Sequence, residues 1–183
     1  MKQLCATAII LLTLIQSQNR RAATMSDFII ISGAFEHGAS IPSVHTCQGN
    51  DSSPPLSWSG APIGTKSFAL IVDDPDAPDP LAPKMTWVHW LVYNIPASIS
   101  SLSEKQPAGT KLANGALVGK NDSKKTAYGG PCPPIGQHRY FFKLYALSAL
   151  LEIPSGATKA ELEKAMAGKI LGMATLVGFY KKK

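Results

Sequence analysis

The sequence predicts a mainly β fold, an antiparallel β-sandwich with one or two short helices, and three features carry that prediction. Apolar runs such as 68–72, which ends abruptly in acids and prolines, are too brief for helices. The segments between them are rich in turn formers, with 15 glycines and 14 prolines in 183 residues. A helical stripe behind an N-terminal cap occurs once with any force, late in the chain at Thr158. Many short strands, long irregular connections and one late helix stack as two sheets with helical trimmings.

Residues 1–24 read as a leader. Leu4 to Ile15 is apolar, long enough for the core of a signal peptide and too short to cross a bilayer, with Lys2 ahead of it. Ala22-Ala23-Thr24 offers small residues for cleavage, although Arg21 suits such a cut poorly. A periplasmic or secreted location is therefore expected, with a cytoplasmic one as the alternative should translation start at Met25. Residues 25–183 then form a single domain with no transmembrane segment in the mature chain.

Phe28 to Ser32 opens that domain as a strand. Residues 33–55 are an irregular stretch of glycine, proline, serine and asparagine, with Ile41 to Cys47 read as extended. Leu56-Ser57-Trp58 alternates, and Gly60-Ala61-Pro62 turns the chain into the buried strand Phe68 to Val72. That run meets Asp73-Asp74-Pro75-Asp76-Ala77-Pro78, where proline restricts pairing and places the acids at a strand end or just beyond. Trp87 to Asn94 alternates again and carries His89 between two tryptophans. A turn of helix is expected near Ser98 to Leu102, and residues 113–125, with Asn114-Gly115 and Asn121-Asp122, read as surface. Tyr128 to Pro134 holds too much glycine and proline for a helix or a central strand. His138 to Leu147 is the strongest strand, apolar on both faces from Tyr140 onward save Lys143, and so it should be covered on both. Thr158-Lys159-Ala160-Glu161 is a capping box, with Leu162, Ala165 and Met166 behind it, and Thr175 to Tyr180 closes as a strand.

The net charge of +6 suggests nucleic acid until its location is considered. Of the 18 bases, Lys2, Arg20, Arg21 and Lys181 to Lys183 lie at the two ends, leaving 12 against the 12 acids between. Without a basic patch in the folded part, nucleic-acid binding lacks its main energetic source. Cys5 falls in the leader. Cys47 and Cys132 remain, a pair that permits one disulfide in an oxidising compartment and equally two buried thiols. Neither belongs to a Cys-x-x-Cys motif, so structural zinc is not expected.

Asp74, Asp76, His89 and His138 all sit at or near strand ends and can share one cleft. The motifs around them, Asp-Pro-Asp-Ala-Pro, Trp-x-His-Trp and Gly-Gly-Pro-Cys-Pro-Pro-x-Gly-x-His-Arg-Tyr, occur in that order. Together with Ser53-Pro54-Pro55-Leu56-Ser57-Trp58 and Leu176-Val177-Gly178, they resemble the phosphatidylethanolamine-binding protein family, also called Raf kinase inhibitor-like, and its bacterial branch above all. The resemblance implies antiparallel sheets and a small surface cavity that accepts phosphate-like anions. Carried over, the cavity would be lined by Asp74, Asp76, Ala77 and Pro78, by Trp87 and His89, and by Gly130, Pro131, His138 and Tyr140. It implies a non-enzymatic protein without a cofactor, whose partner is a phosphate-bearing small molecule or phospholipid head group such as phosphoethanolamine. A kinase or protease regulated through its surface is a further implied partner.

Charge must then be reconciled with the aspartates. Histidines beside carboxylates are biased toward the charged form and could meet the anion, backbone N–H groups at Gly129-Gly130 could form a nest, and Tyr140 could donate. The aspartates would receive an ammonium group. The alternative is a metal-dependent hydrolase built on the same Asp/His cluster. Acyl transfer has no visible nucleophile, since no Gly-x-Ser-x-Gly elbow occurs.

Overall fold

The computed structural model describes residues 27–183; the leader expected over residues 1–24 lies outside the described residues. In order, the elements are β1 (Ile29–Ser32), β2 (Ala39–Ser40), a 3₁₀ turn (Ser43–His45), β3 (Leu56–Ser59), β4 (Ser67–Ala77) and β5 (Met85–Pro96). There follow β6 (Ser101–Leu102), β7 (Leu117–Val118), β8 (Gln137–Leu147), the helix α1 (Lys159–Met166) and β9 (Ile170–Lys181). A three-stranded sheet β1-β3-β6 faces a six-stranded sheet β2-β9-β8-β4-β5-β7. The pairings are antiparallel except that β2 runs parallel along the edge of β9, Ala39 opposite Gly178.

Alternation explains the layers. Phe68, Leu70 and Val72 of β4, Trp90 and Val92 of β5, and Phe142 and Leu144 of β8 point into the core against Ile30, Leu56 and Trp58 of the small sheet. The intervening Ala69, Ile71, Leu91 and Tyr93 bury the opposite face beneath Leu151, Leu162 and Met166. β4 and β5 are therefore covered on both sides, which is why residues 68–72 and 90–93 are unbroken apolar runs. The outward face of β8 is covered less completely than expected, with Phe141, Lys143 and Tyr145 half-buried.

Helix α1 starts as its sequence requires. Glu161 N donates to Thr158 Oγ1 at 3.4 Å, and Thr158 N donates to Glu161 Oε2 at 2.7 Å.

Two local expectations are corrected. Ile41 to Cys47 is not extended, because Pro42 leads into the 3₁₀ turn, closed by Thr46 donating through N and Oγ1 to Ser43 O. Ser98 to Leu102 forms no helix; Leu102 pairs with Leu56 as β6 and is buried in the core. Residues 113–125 lie mostly at the surface as expected, although Ala116, Val118, Gly119 and Asn121 among them are buried and β7 pairs with β5.

Candidate functional site

β4 does not stop at its acids. It runs to Ala77, pairing with β5 as Asp74 opposite Trp87 and Ala77 opposite Met85, with a register shift between the two pairs. Pro75 lies in that irregularity, where a missing ladder donor costs little. Its pairing with β8 ends earlier, at Asp73 opposite Phe141. Past that point β4, β5 and β8 frame one end of the large sheet, and two loops, 45–52 and 121–134, close round it. The result is a cavity of about 460 Å³.

Of the residues expected to line it, Asp74, Ala77, Pro78, Trp87, His89, Gly130, His138 and Tyr140 do so. Asp76 and Pro131 are placed elsewhere. The Asp76 carboxylate is occupied by Arg139, accepting from its N and Nε at 2.9 Å through Oδ2 and from its Nη2 at 2.6 Å through Oδ1. Those bonds from Arg139 hold the Asp76 carboxyl below its usual pKa against the opposing effect of burial. Pro131 contributes its carbonyl to Cys47 N at 3.1 Å.

The adjacent acids thus serve separate partners. Asp73 points to the opposite face and meets Lys143 and Lys159. Asp74 Oδ2 accepts from His138 Nδ1 at 2.7 Å, and its Oδ1 accepts from Asp76 N at 2.8 Å. His138 Nε2 faces the Ile135 carbonyl at 2.9 Å, so both nitrogens of this buried ring are committed to protein acceptors. His138 braces the wall and has no free donor for an anion.

The glycine nest is also occupied. Gly129 N donates to His89 O at 3.0 Å, and Gly130 N to Asp51 Oδ1 at 2.6 Å. Gly130 is required by this crowding, since a Cβ there would lie 2.4 Å from Asp51 Oδ1 and 2.5 Å from His45 O.

What remains is a pair of polar atoms. His89 Nδ1 lies 2.6 Å from the Gly129 carbonyl, which can only accept, so Nδ1 carries the ring proton. His89 Nε2 and the Tyr140 hydroxyl are buried without a protein partner, and their rings meet edge to face at 5.2 Å. Burial holds His89 below the ordinary histidine pKa, although the bond to Gly129 and the charges of Asp74, Asp51 and Asp73 pull the other way. Burial likewise pushes the Tyr140 hydroxyl well up, so it stays protonated. The histidines therefore do not both stand free for an anion: burial disfavours the charged form of His89, and the two His138 nitrogens face Asp74 and Ile135.

Several wall residues escaped the sequence reading. Asp51 sits at a positive φ of 52° and turns a carboxylate toward Gly130. Asn121 holds the loop that brings Ser123 and Lys125 to the mouth; its Nδ2 donates to Ala127 O at 3.1 Å and its Oδ1 accepts from Lys125 N at 3.0 Å. The Asn121-Asp122 turn signal marked that loop, but nothing local said which way it folds. A disulfide joins Cys47 to Cys132, Cα to Cα 5.4 Å, and ties the two loops together on the cavity wall. Among the described residues, no three His, Cys, Asp or Glu side chains are grouped to hold a metal ion, the acids being committed as above. No helix among them is long and apolar enough to cross a membrane.

The family model described as phosphatidylethanolamine-binding protein matches residues 31–181. The chain belongs to that family. A UPF0098 protein of Methanothermobacter thermautotrophicus is 48% identical over 149 residues, covering 81% of this chain and 95% of that protein. A phosphatidylethanolamine-binding protein homologue of Chlamydia trachomatis, solved by crystallography, is 41% identical with a TM-score of 0.76, covering 85% of this chain and 98% of that one. E. coli YbcL, described as a member of the mammalian family, is 35% identical with a TM-score of 0.78, covering 86% and 100%.

Proposed function

We propose that this protein is a non-enzymatic receptor for a small phosphate-bearing group, of which phosphoethanolamine is the model ligand. The observation that carries the reading is the unpartnered pair, His89 Nε2 and Tyr140 hydroxyl, on the wall of a cavity large enough for a head group. Buried polar groups left unpaired are costly, and a ligand that meets them recovers that cost on binding. Tyr140 donates to a phosphate oxygen, and Lys125 at the mouth supplies attraction to the anion. Asp51 offers a carboxylate on the same wall for an ammonium group, which suits a zwitterion better than a bare anion. Membership of a family named for binding phosphatidylethanolamine supports this choice of chemistry. The Cys47–Cys132 disulfide supports an oxidising, extracytoplasmic location.

Calorimetric titration with phosphoethanolamine tests the reading, comparing wild type with Tyr140→Phe. Removing a hydroxyl that bonds no protein group should leave the melting temperature unchanged or slightly raised. The loss of one donor to the ligand should weaken binding by about 10-fold, equivalent to about 1.4 kcal/mol. Absence of saturable binding by wild type at millimolar ligand, or equal binding by the variant, would count against it.

A further inference from the structure

We infer that the cavity end of the molecule docks on an anionic lipid bilayer, with Leu81 and Ile135 entering the interface beside the cavity mouth. The inference rests on the receptor reading and specifies where its head group comes from, a phospholipid still in its membrane. Two turns stand at the rim. Residues 78–84 join β4 to β5, and Leu81 among them is 94% exposed. That turn is firmly held: Leu81 N donates to Asp79 Oδ1 at 2.9 Å, Ala82 N to Asp79 O at 3.0 Å, and Lys84 N to Ala77 O at 2.9 Å. Residues 134–136 lead into β8 and carry Ile135, 55% exposed, whose carbonyl faces His138 Nε2. The two turns touch, for a Cβ on Gly136 would lie 2.9 Å from Pro80 Cγ. Adjacent, hydrogen-bonded turns thus hold two large aliphatic side chains out in water, where their exposure is unfavourable unless a partner covers them. Behind them Pro78, Met85 and Pro134 are exposed and also line the cavity, so the apolar surface runs from the tips into the opening.

Charge identifies the partner. Lys84 belongs to the first turn, and Lys124 and Lys125 to the loop that brings Lys125 to the cavity. β9 delivers Lys181 to Lys183 to the same end, Lys181 opposite Gln137 at the start of β8. Lys183 N donates to Gln48 Oε1 at 2.9 Å, next to Cys47 of the cavity wall. All six lysines are exposed, and among the described residues none is in an ion pair. Acids of this end are turned to protein donors instead: Asp51 accepts from Gly130 N, Asp79 from Leu81 N and Asp122 from Val88 N. A second copy of the chain would set lysines against lysines. Nucleic acid would answer the lysines but has no apolar layer for Leu81 and Ile135. An anionic bilayer offers both, negative charge at its surface and hydrocarbon just beneath. With the two tips in the interface, the cavity opens among the head groups, and a phospholipid can present its phosphate there while its acyl chains stay in the membrane.

Co-sedimentation of the full chain with vesicles tests the inference, using phosphatidylethanolamine and phosphatidylglycerol at about 3:1 against phosphatidylcholine alone. The anionic vesicles should bind at least ~10-fold more tightly, and raising salt from about 0.1 M to about 0.5 M should erode the difference. Leu81→Gln with Ile135→Gln, and separately Lys182→Gln with Lys183→Gln, should each weaken vesicle binding by ~10-fold or more. The first pair should leave the melting temperature and the affinity for soluble phosphoethanolamine unchanged, because neither side chain lines the cavity. Insertion is read position by position. Fluorescence of Leu81→Trp should be quenched by brominated acyl chains beyond the wild-type background. That of Ile63→Trp, 98% exposed at the opposite end of the large sheet, should not. Equal quenching at positions 81 and 63, or none at either, overturns the inference. Absence of vesicle binding beside intact phosphoethanolamine binding also overturns it, gives this face to a protein partner and leaves the receptor reading standing. Binding of neither vesicles nor phosphoethanolamine overturns both.

Discussion

Burial sets the charge of His89, and the same fact makes a prediction about stability. Its folded pKa lies below the unfolded value near pH ~6.5, so below that value the unfolded chain binds the extra proton more readily. The contribution of the neutral ring is complete above pH ~6.5 and is lost as pH falls through the folded pKa. Wild type should therefore lose stability on acidification from about pH 6.5 to 5 more steeply than His89→Gln, as read from denaturant midpoints. Parallel slopes would mean that the ring is hydrated or charged in the folded protein. Asp76 acts in a separate, more acidic window. Its carboxyl is held below the ordinary value near 3.8, chiefly by Arg139, so its contribution persists above that pH and fades as pH falls further. Eight of the lining residues were visible in the motifs, but their roles were not. Three acids side by side look like a cluster, whereas the alternation of a strand and one bulge send Asp73, Asp74 and Asp76 to three different partners.

β4 is the element that joins the two halves of this chemistry, since Asp74 serves the cavity and Asp73 the face packed by α1. Asp73 is fully buried; Lys143 of β8 and Lys159 of α1 each reach it at 2.7 Å. The Lys143 hydrogen bond is to Oδ2, leaving Oδ1 with a close charge but no aligned donor. Either lysine alone neutralises the carboxylate, so Lys143→Met and Lys159→Met should each cost about 1 kcal/mol, the modest worth of a half-exposed pair. Together they strand a buried charge and should cost about 3–5 kcal/mol, more than the two single effects combined. A double-mutant cycle by urea denaturation checks this, and additivity would show that Asp73 takes up a proton or a water instead. Lys143 stood out in the sequence as a charge amid an apolar strand, yet its partner Asp73 lies 70 residues away and left no local trace. The same distinction governs the elements themselves. β4, β5, β8 and β9 carry apolar runs or alternation long enough to be read, whereas β2, β6 and β7 span two residues each, too few to show any period. Within residues 113–125, the turn signals at Asn114-Gly115 and Asn121-Asp122 marked the surface but gave no hint that the tertiary fold buries Ala116 and Val118 between them.

At the scale of the whole molecule, the sheets supply a rigid frame and the cavity lies beyond the strand ends, enclosed by loops drawn from distant parts of the chain. The loop holding Asp51 and the loop holding Gly130 are separated by the whole of β3 through β7, and few hydrogen bonds join them: Cys47 N to Pro131 O, Gly130 N to the Asp51 side chain and the Tyr128 hydroxyl to His45 O. The disulfide is the covalent link across that junction, 85 residues apart in sequence. Closing a loop of that length removes chain entropy from the unfolded state worth about 4.5 kcal/mol. For a domain of this size that corresponds to a melting shift of roughly 10–15 °C. Reductant should lower the melting temperature of wild type by that order and leave Cys132→Ser, already at the lower value, unmoved. Because the same bond pins both cavity loops, reduction should also weaken phosphoethanolamine binding, and by the same factor as Cys132→Ser. A fall in melting temperature without a change in affinity would mean that the Gly130–Asp51 and Cys47–Pro131 contacts suffice to hold the wall. An unchanged melting temperature would mean that the sulfurs are not joined in the folded protein, and the case for an oxidising compartment would fall with them.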